Sequence, residues 1–162
     1  VSLALLDYLK ERVAHVHIKW PNDILVNDSK ISGILIENHI QGQGLSFTVV
    51  GIGFNVNQDF FRYSNATSLK IITGTEHNLE TVLEDLLVHL EKYYLTLRAN
   101  HLKKLDEAYE RVLYGLNQEK NFKSGEHFFA GRIKGVDESG RLLVETAGEV
   151  RKFMLQEIQM VY

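Results

Sequence analysis

Cysteine is absent from the 162 residues, which excludes a disulfide framework, a thiolate nucleophile and a thiolate zinc site. Proline occurs once, at Pro21, and no Pro/Gly/Ser-rich tract or internal repeat marks a linker or a solenoid. Neither sign of charge dominates. The 18 Lys and Arg stand against 21 Asp and Glu with no basic run among them, so nucleic acid is not an expected partner. Long apolar runs are lacking too: the opening VSLALLDYLKERV is interrupted by Asp7, Lys10, Glu11 and Arg12 far short of a membrane span, and no leader with a cleavage site is seen. No membrane association is expected, and the cytoplasm is the expected compartment.

The composition that is present is 44% apolar, enough to build a real core for one full domain or for one partial domain plus a small one. Leu3, Leu5, Leu6, Tyr8 and Leu9 predict an amphipathic first helix. Four Val- and Ile-rich runs follow (HVHIK, ILV, ISGILIEN and LSFTVVGIGFNVN) and predict a meander of strands with connections at WPND, NDSK and HIQGQG. Asn27 and Asp28 suit a reversal because both tolerate left-handed backbone. From Asn78, an N-cap residue, apolar side chains recur at helical spacing to Leu97 and predict a long helix whose stripe is core. A shorter helix is predicted from His101 to Leu113, stopped near Gly115. From Gly125 the pattern is β again, with turns at Asp137–Gly140 and Ala147–Glu149, and short strands joined by tight turns predict a small SH3-like barrel. The expected fold class is α+β: a mixed, largely antiparallel sheet packed by helices over residues 1–115, then the barrel over 116–162.

Polar and glycine positions gather in three segments: Lys19-Trp20-Pro21-Asn22-Asp23, Lys30-Ile31-Ser32-Gly33-Ile34-Leu35-Ile36-Glu37 and Gly51-Ile52-Gly53-Phe54-Asn55-Val56-Asn57. Pro21 fixes its own φ and biases Trp20 toward extended backbone, which predicts a stiff corner aiming Lys19, Asn22 and Asp23 in set directions. Gly51 and Gly53, two apart on a strand, face one side and leave a flat strip where a ring-shaped ligand can approach the backbone. In a meander the corner, Lys30 and this strip converge on one sheet face. Taken singly, each residue also has an ordinary reading: Lys30 as a solvated turn lysine, Asp23 as a cap, Asn55 as a strand-end amide, the glycines as a bulge. Joint occurrence favours the functional one. His15 and His17, at spacing two, would share a strand face able to bind metal, but no third ligand stands at a recognisable spacing, so packing or surface histidines are expected.

The corner, the K-x-x-G-I-L-x-E strand and the G-x-G-x-N strand, in this order and continued by Ala66-Thr67-Ser68-Leu69, resemble biotin protein ligase, strongly over residues 15–75. The stretch after Gly125 is similar to that family's C-terminal SH3-like domain. What the resemblance implies is a partial, class II synthetase-like catalytic domain over 1–115 and the SH3-like domain over 116–162. It also implies a biotin–[acetyl-CoA-carboxylase] ligase activity. Biotin and MgATP give biotinyl-5′-adenylate and pyrophosphate, and a lysine amine of a biotin carboxyl carrier protein then attacks the mixed anhydride. ATP, Mg²⁺ and the substrate biotin are thus implied, with the carrier protein of acetyl-CoA carboxylase as partner and a homodimer as the assembly to test for. By the same resemblance Lys30 is the catalytic cation, Asp23, Gly33, Leu35, Gly51 and Gly53 line the biotin pocket, and Lys19, Asn22 and Asn55 hold ATP or the adenylate. Mg²⁺ is expected to be held largely by phosphates.

The family's glycine- and arginine-rich loop, GRGRxGR, belongs upstream of the corner and is not found in these residues, and Val1 opens at a helix that lies inside the family's catalytic domain. The expectation is a fragment without efficient ligation on its own. Two alternatives stay open: a lipoate–protein ligase relative, against which the KWPND corner argues, and a non-catalytic remnant that binds a carrier protein or dimerises through a sheet edge.

Overall fold

The computed structural model describes residues 1–42, 44–62 and 65–161. Gln43, in a predicted connection, and Tyr162, at the end of the last predicted strand, lie outside them. The chain forms two compact units, residues 1–18 with 22–102 and residues 19–21 with 103–162. The division near residue 115 drawn from the sequence falls one helix later.

The first unit opens with α1 (Ser2–Lys10), followed by β1 (Val16–Lys19), β2 (Asp23–Val26), β3 (Ser29–Gln41) and β4 (Gly44–Phe54) in one sheet of order β1-β2-β3-β4. This is the predicted meander. Asn27 and Asp28 take φ of 48° and 64° at the β2–β3 reversal, the left-handed backbone their side chains tolerate. His15 also has positive φ, 55°, and stands before β1, so it does not share a strand face with His17 as the spacing suggested. Beyond the predicted runs, β3 and β4 continue into a long hairpin, paired from Ser32↔Phe54 to Gln41↔Gly44, whose outer part exposes Ile36, Ile40, Leu45 and Phe47.

Leu5, Leu6, Tyr8 and Leu9 of α1 are buried, and the Tyr8 ring meets Phe54 edge-on at 5.9 Å, which seats the helix on the sheet face that carries Ile24, Ser32 and Ile34. After the short α2 (Leu69–Thr73), capped by Ser68, comes α3 (Leu79–Arg98), capped by Asn78, whose side chain accepts from Thr81 N at 3.0 Å. Helix α3 clasps α1 through polar pairs: Tyr93 donates to Asp7 at 2.8 Å, Lys92 meets the same carboxylate at 2.9 Å, Arg12 pairs with Asp85, and His89 lies edge-on to Tyr8. The expectation that the whole Leu79–Leu97 stripe is core is corrected here. Only Val82 and Leu86 are buried, whereas Leu79, Leu83, Leu87 and Leu97 are exposed. The side of α3 explains it: α1 meets the side that carries Asp85, His89, Lys92 and Tyr93, which leaves the neighbouring row of Leu79, Leu83 and Leu87 uncovered.

The second unit contains nearly all of α4 (Leu102–Glu110) and the strands β5 (Glu119–Ser124), β6 (His127–Val136), β7 (Leu142–Thr146), β8 (Glu149–Phe153) and β9 (Gln159–Val161), ordered β8-β7-β6-β5-β9 with antiparallel pairing. It has the expected SH3-like fold around Phe122, Ile133, Leu142, Val144 and Phe153. Trp20 packs against this core and donates its indole N–H to the Gly140 carbonyl at 2.9 Å. Helix α4 stops short of the predicted Leu113, and Gly115 takes φ 73° in the turn that follows. Asp137 organises the β6–β7 turn, accepting from Ser139 and Arg141 and pairing with Lys152. The hydrogen bond from Ser139, with those from Arg141 and Lys152, holds its carboxyl well below the usual range.

Candidate functional site

Strand register decides which side chains meet. Asp23 pairs with Gly33, Gly33 with Gly53, and Leu35 with Gly51. Residues directly opposite on antiparallel strands point to the same side. All five residues read from the sequence as a biotin pocket therefore share one sheet face, opposite to the one under α1. The face is open: Leu35 is 61% exposed, and Gly51 and Gly53 are exposed beside it.

Lys30 joins this group only because of an irregularity. Strict alternation along β3 would put it with Ser32 and Ile34 on the packed face. The register slips between Ile24 and Leu25: Ile24 pairs with Ser32 but Leu25 with Lys30, leaving Ile31 as an extra residue. Ile31 and Ser32 are consequently both buried, consecutive in sequence, and Lys30 turns over to the site face. There its Nζ stands 2.6 Å from Asp23 Oδ1. Half-exposed as it is, such a pair adds at most about 1 kcal/mol to stability, so what it contributes is position.

The backbone of Lys30 is held from the other side. Its N–H donates to the Asn65 carbonyl at 2.8 Å, its carbonyl accepts from Thr67 N at 2.9 Å, and Ala66 bridges to it in parallel sense. Asn55 secures that strap: its N–H donates to the Ile31 carbonyl at 2.9 Å, its side-chain amide donates to the Thr67 carbonyl at 3.1 Å, and its own carbonyl accepts from Leu69 N. Ser68, fully buried, donates to the Gln58 carbonyl at 2.7 Å and caps α2. Asn57 clamps the backbone of His77 through both its N–H and its carbonyl. Sequence reasoning misses the supporting roles of Thr67, Ser68 and Asn57, because a hydrogen bond to distant backbone leaves no local pattern.

Asn22 spends its side-chain amide N–H on the Ile34 carbonyl, donating at 2.7 Å, while its backbone carbonyl accepts from Ile34 N at 2.9 Å. It locks the start of β2 onto β3, which fixes where Asp23 emerges. Lys19, the last residue of β1, groups with the second compact unit. Among the described residues no three side chains of metal-ligating type gather. Chemically, the face offers a flat strip without Cβ atoms at two positions, an apolar flank in Leu35, and one ammonium group at its edge. That combination suits a flat, weakly polar ring that ends in an anion.

Comparison with known proteins points to one family. Residues 1–55 match the model of the biotin/lipoate A/B protein ligase family and residues 115–161 that of the biotin protein ligase C-terminal domain. The bifunctional ligase/repressor BirA of Bacillus spizizenii is 30% identical over 148 residues, covering 88% of this chain and 46% of that protein. A biotin–[acetyl-CoA-carboxylase] ligase of Paracoccus denitrificans is 49% identical over 58 residues, 34% of this chain and 24% of that one. Among solved structures, the biotin protein ligase of Aquifex aeolicus in complex with biotin and ATP superposes with a TM-score of 0.79 at 26% identity, covering 99% of this chain and 68% of that one. The chain spans about half the length of the curated relatives it matches. With both family segments present in order, and with a fold shared over nearly its whole length, the chain belongs to the biotin protein ligase family.

Proposed function

We propose that the protein of which this chain is part joins biotin to a lysine of the biotin carboxyl carrier protein of acetyl-CoA carboxylase by way of biotinyl-5′-adenylate. The observation that carries the reading is the placement of Lys30 and Asp23 at the edge of the Gly33, Leu35, Gly51 and Gly53 face. In the first step a biotin carboxylate oxygen bonds to the α-phosphorus of ATP and pyrophosphate leaves. In the second, the carrier lysine amine bonds to the acyl carbon, AMP leaves with the bonding pair, and the amine loses its proton. Negative charge moves onto phosphate oxygens in the first step and onto the acyl oxygen in the second. An ammonium fixed at that point stabilises both transition states without reorganising, and removal of one such donor typically costs about 100- to 1,000-fold in rate.

In this reading Asp23 orients Lys30, Gly51, Gly53 and Leu35 take the biotin ring system with Gly33 at its end beside Lys30, and Asn55, Asn22 and Lys19 are the residues assigned to the nucleotide. Mg²⁺ would travel with ATP on its phosphates, which agrees with the hard ion's preference for few protein ligands. Residues 1–115 would form the catalytic portion and 116–162 the SH3-like domain. A cytoplasmic location belongs to the same proposal, as does a homodimer along β4, the last strand in sheet order. No described helix is long and apolar enough to cross a membrane.

Thermal unfolding with a non-hydrolysable biotinyl-adenylate analogue tests the reading. At about a hundred times the dissociation constant the ligand should add roughly 2.7 kcal/mol, a shift on the order of 5–10 °C. The same shift with the lipoyl analogue would sink biotin selectivity, and no shift with either would sink the pocket on this chain.

A further inference from the structure

The three glycines of the site face do not share one job. None of Gly33, Gly51 and Gly53 lies in the left-handed region, so backbone conformation requires glycine at none of them. Space separates them. Among the described residues, a Cβ on Gly51 would meet nothing nearer than Leu35 Cβ at 3.8 Å, and one on Gly53 nothing nearer than the Gly33 carbonyl oxygen at 3.7 Å. Both are ordinary contacts. A Cβ on Gly33 would stand 3.2 Å from Lys30 Nζ, 3.3 Å from its Cε and 3.5 Å from Asp23 Oδ1. The protein's own atoms thus fill the volume over Gly33, and the crowding atoms belong to the ion pair.

We infer that Gly33 is a positioning residue: its missing side chain is the seat in which the Lys30 ammonium lies flat against β3 within 2.6 Å of Asp23, while Gly51 and Gly53 are left clear for a bound ligand. The value of that seat for catalysis rests on the ligase reading; the seat itself does not. The register slip brings Lys30 to this face, Asn22 fixes the point where Asp23 leaves β2, and Gly33 sets the height of the ammonium above the strand. A methyl group there need not unfold anything, because the atoms it displaces are the free end of a flexible side chain. It moves the ammonium off its seat by a few tenths of an ångström. In an adenylating site, where rate depends on how closely a group is held to its reacting geometry, Gly33→Ala would lower kcat for adenylation rather than raise KM for biotin.

The test reads Lys30 directly. On the full chain labelled with ¹⁵N-lysine, ammonium correlation spectra are recorded, with the Lys30 signal assigned from its loss in Lys30→Arg. Asp23→Asn should abolish the slow-exchanging Lys30 signal, Gly33→Ala should abolish or displace it in the same way, and Gly53→Ala should leave it in place. A double-mutant cycle guards against a folding artefact: the change in Tm from Gly33→Ala should be small in both backgrounds and less favourable in the wild type than in Lys30→Ala, where the crowding atoms are gone. An undisturbed Lys30 signal in Gly33→Ala, an equal displacement in Gly53→Ala, no ordered signal in the wild type, or the same Tm change in both backgrounds would each overturn the assignment. Absence of binding by biotinyl-adenylate would overturn the ligase reading and leave these spectra unaffected.

Discussion

The two faces of the β2–β3–β4 sheet come from the same strands and differ in almost everything else. One carries Ile24, Ser32 and Ile34 beneath α1, all nearly inaccessible. The other carries Asp23, Lys30, Gly33, Leu35, Gly51 and Gly53 and is left open apart from the ion pair. Because neighbours in sequence point to opposite faces, stability and chemistry are interleaved at single-residue spacing along the SGIL run: Ser32 and Ile34 pack, Gly33 and Leu35 present. Mutations one residue apart should therefore report on different properties, and that is how the contrast is best tested.

Lys30→Ala carries the largest expected effect. Adenylation should fall on the order of 100- to 1,000-fold, as for other lost transition-state donors, while Tm stays close to that of the parent, since a half-exposed ion pair adds at most about 1 kcal/mol. Pyrophosphate release is the assay. Unchanged adenylation would remove Lys30 from the mechanism, and a collapsed Tm would mean that the open face is structural after all.

Ile24→Ala is the counterpart on the packed face. Ile24 is fully buried, one residue from Asp23, and its truncation should cost about 2–5 kcal/mol through lost burial and the cavity left behind. Urea unfolding measures it. A loss below about 1 kcal/mol would mean that α1 does not seal this face.

Acid should act on the packed side as well, through the clasp between α1 and α3. Burial pushes the Asp7 carboxyl up, but hydrogen bonds from Lys92 and Tyr93 and the Lys92 charge outweigh it, and the net result lies below the ordinary carboxylate value. A carboxylate with a lowered folded-state pKa contributes its stability fully above the unfolded-state value, about 4, and loses it as the pH falls through the folded value. Stability measured from neutral pH downward should thus show an acid limb that Asp7→Asn flattens. An identical limb in the variant would assign the acid sensitivity elsewhere, with Asp137 in the second unit the next carboxylate to replace.

Much of this contrast is legible in the amino-acid sequence alone. The meander, the Asn27-Asp28 reversal, the Asn78 cap and the common face of Gly51 and Gly53 all follow from local chemistry and strand period. What is not legible depends on partners distant in sequence. The slip at Ile24/Leu25 leaves no mark in the residues, yet without it alternation assigns Lys30 to the wrong face. Helix α2 is five residues long, too short for a period to show. Strand β5, EKNFKS, buries one large apolar residue, Phe122, so its alternation is faint, and the last predicted strand divides into β8 and β9. The apolar stripe on α3 is there as its period predicts, yet most of it is not core, since periodicity reports which residues share a side and not whether anything covers them.

Ser32 offers the smallest effect and the finest cut between the faces. Its hydroxyl oxygen is buried on the α1 side and has no hydrogen-bond partner among the described residues. Burying such a group unpaired costs about 1–3 kcal/mol, and deleting one oxygen gives part of that back as lost packing. Ser32→Ala should therefore raise unfolding free energy by about 1 kcal/mol, although it sits beside Gly33, where the same residue, alanine, is expected to displace the lysine. Alanine at 32 should leave the Lys30 ammonium signal unmoved, because its methyl group points away from the ion pair. A destabilised Ser32→Ala would show that the hydroxyl is bonded after all, and a shifted Lys30 signal would show that the two faces are coupled through the bulge at Ile31.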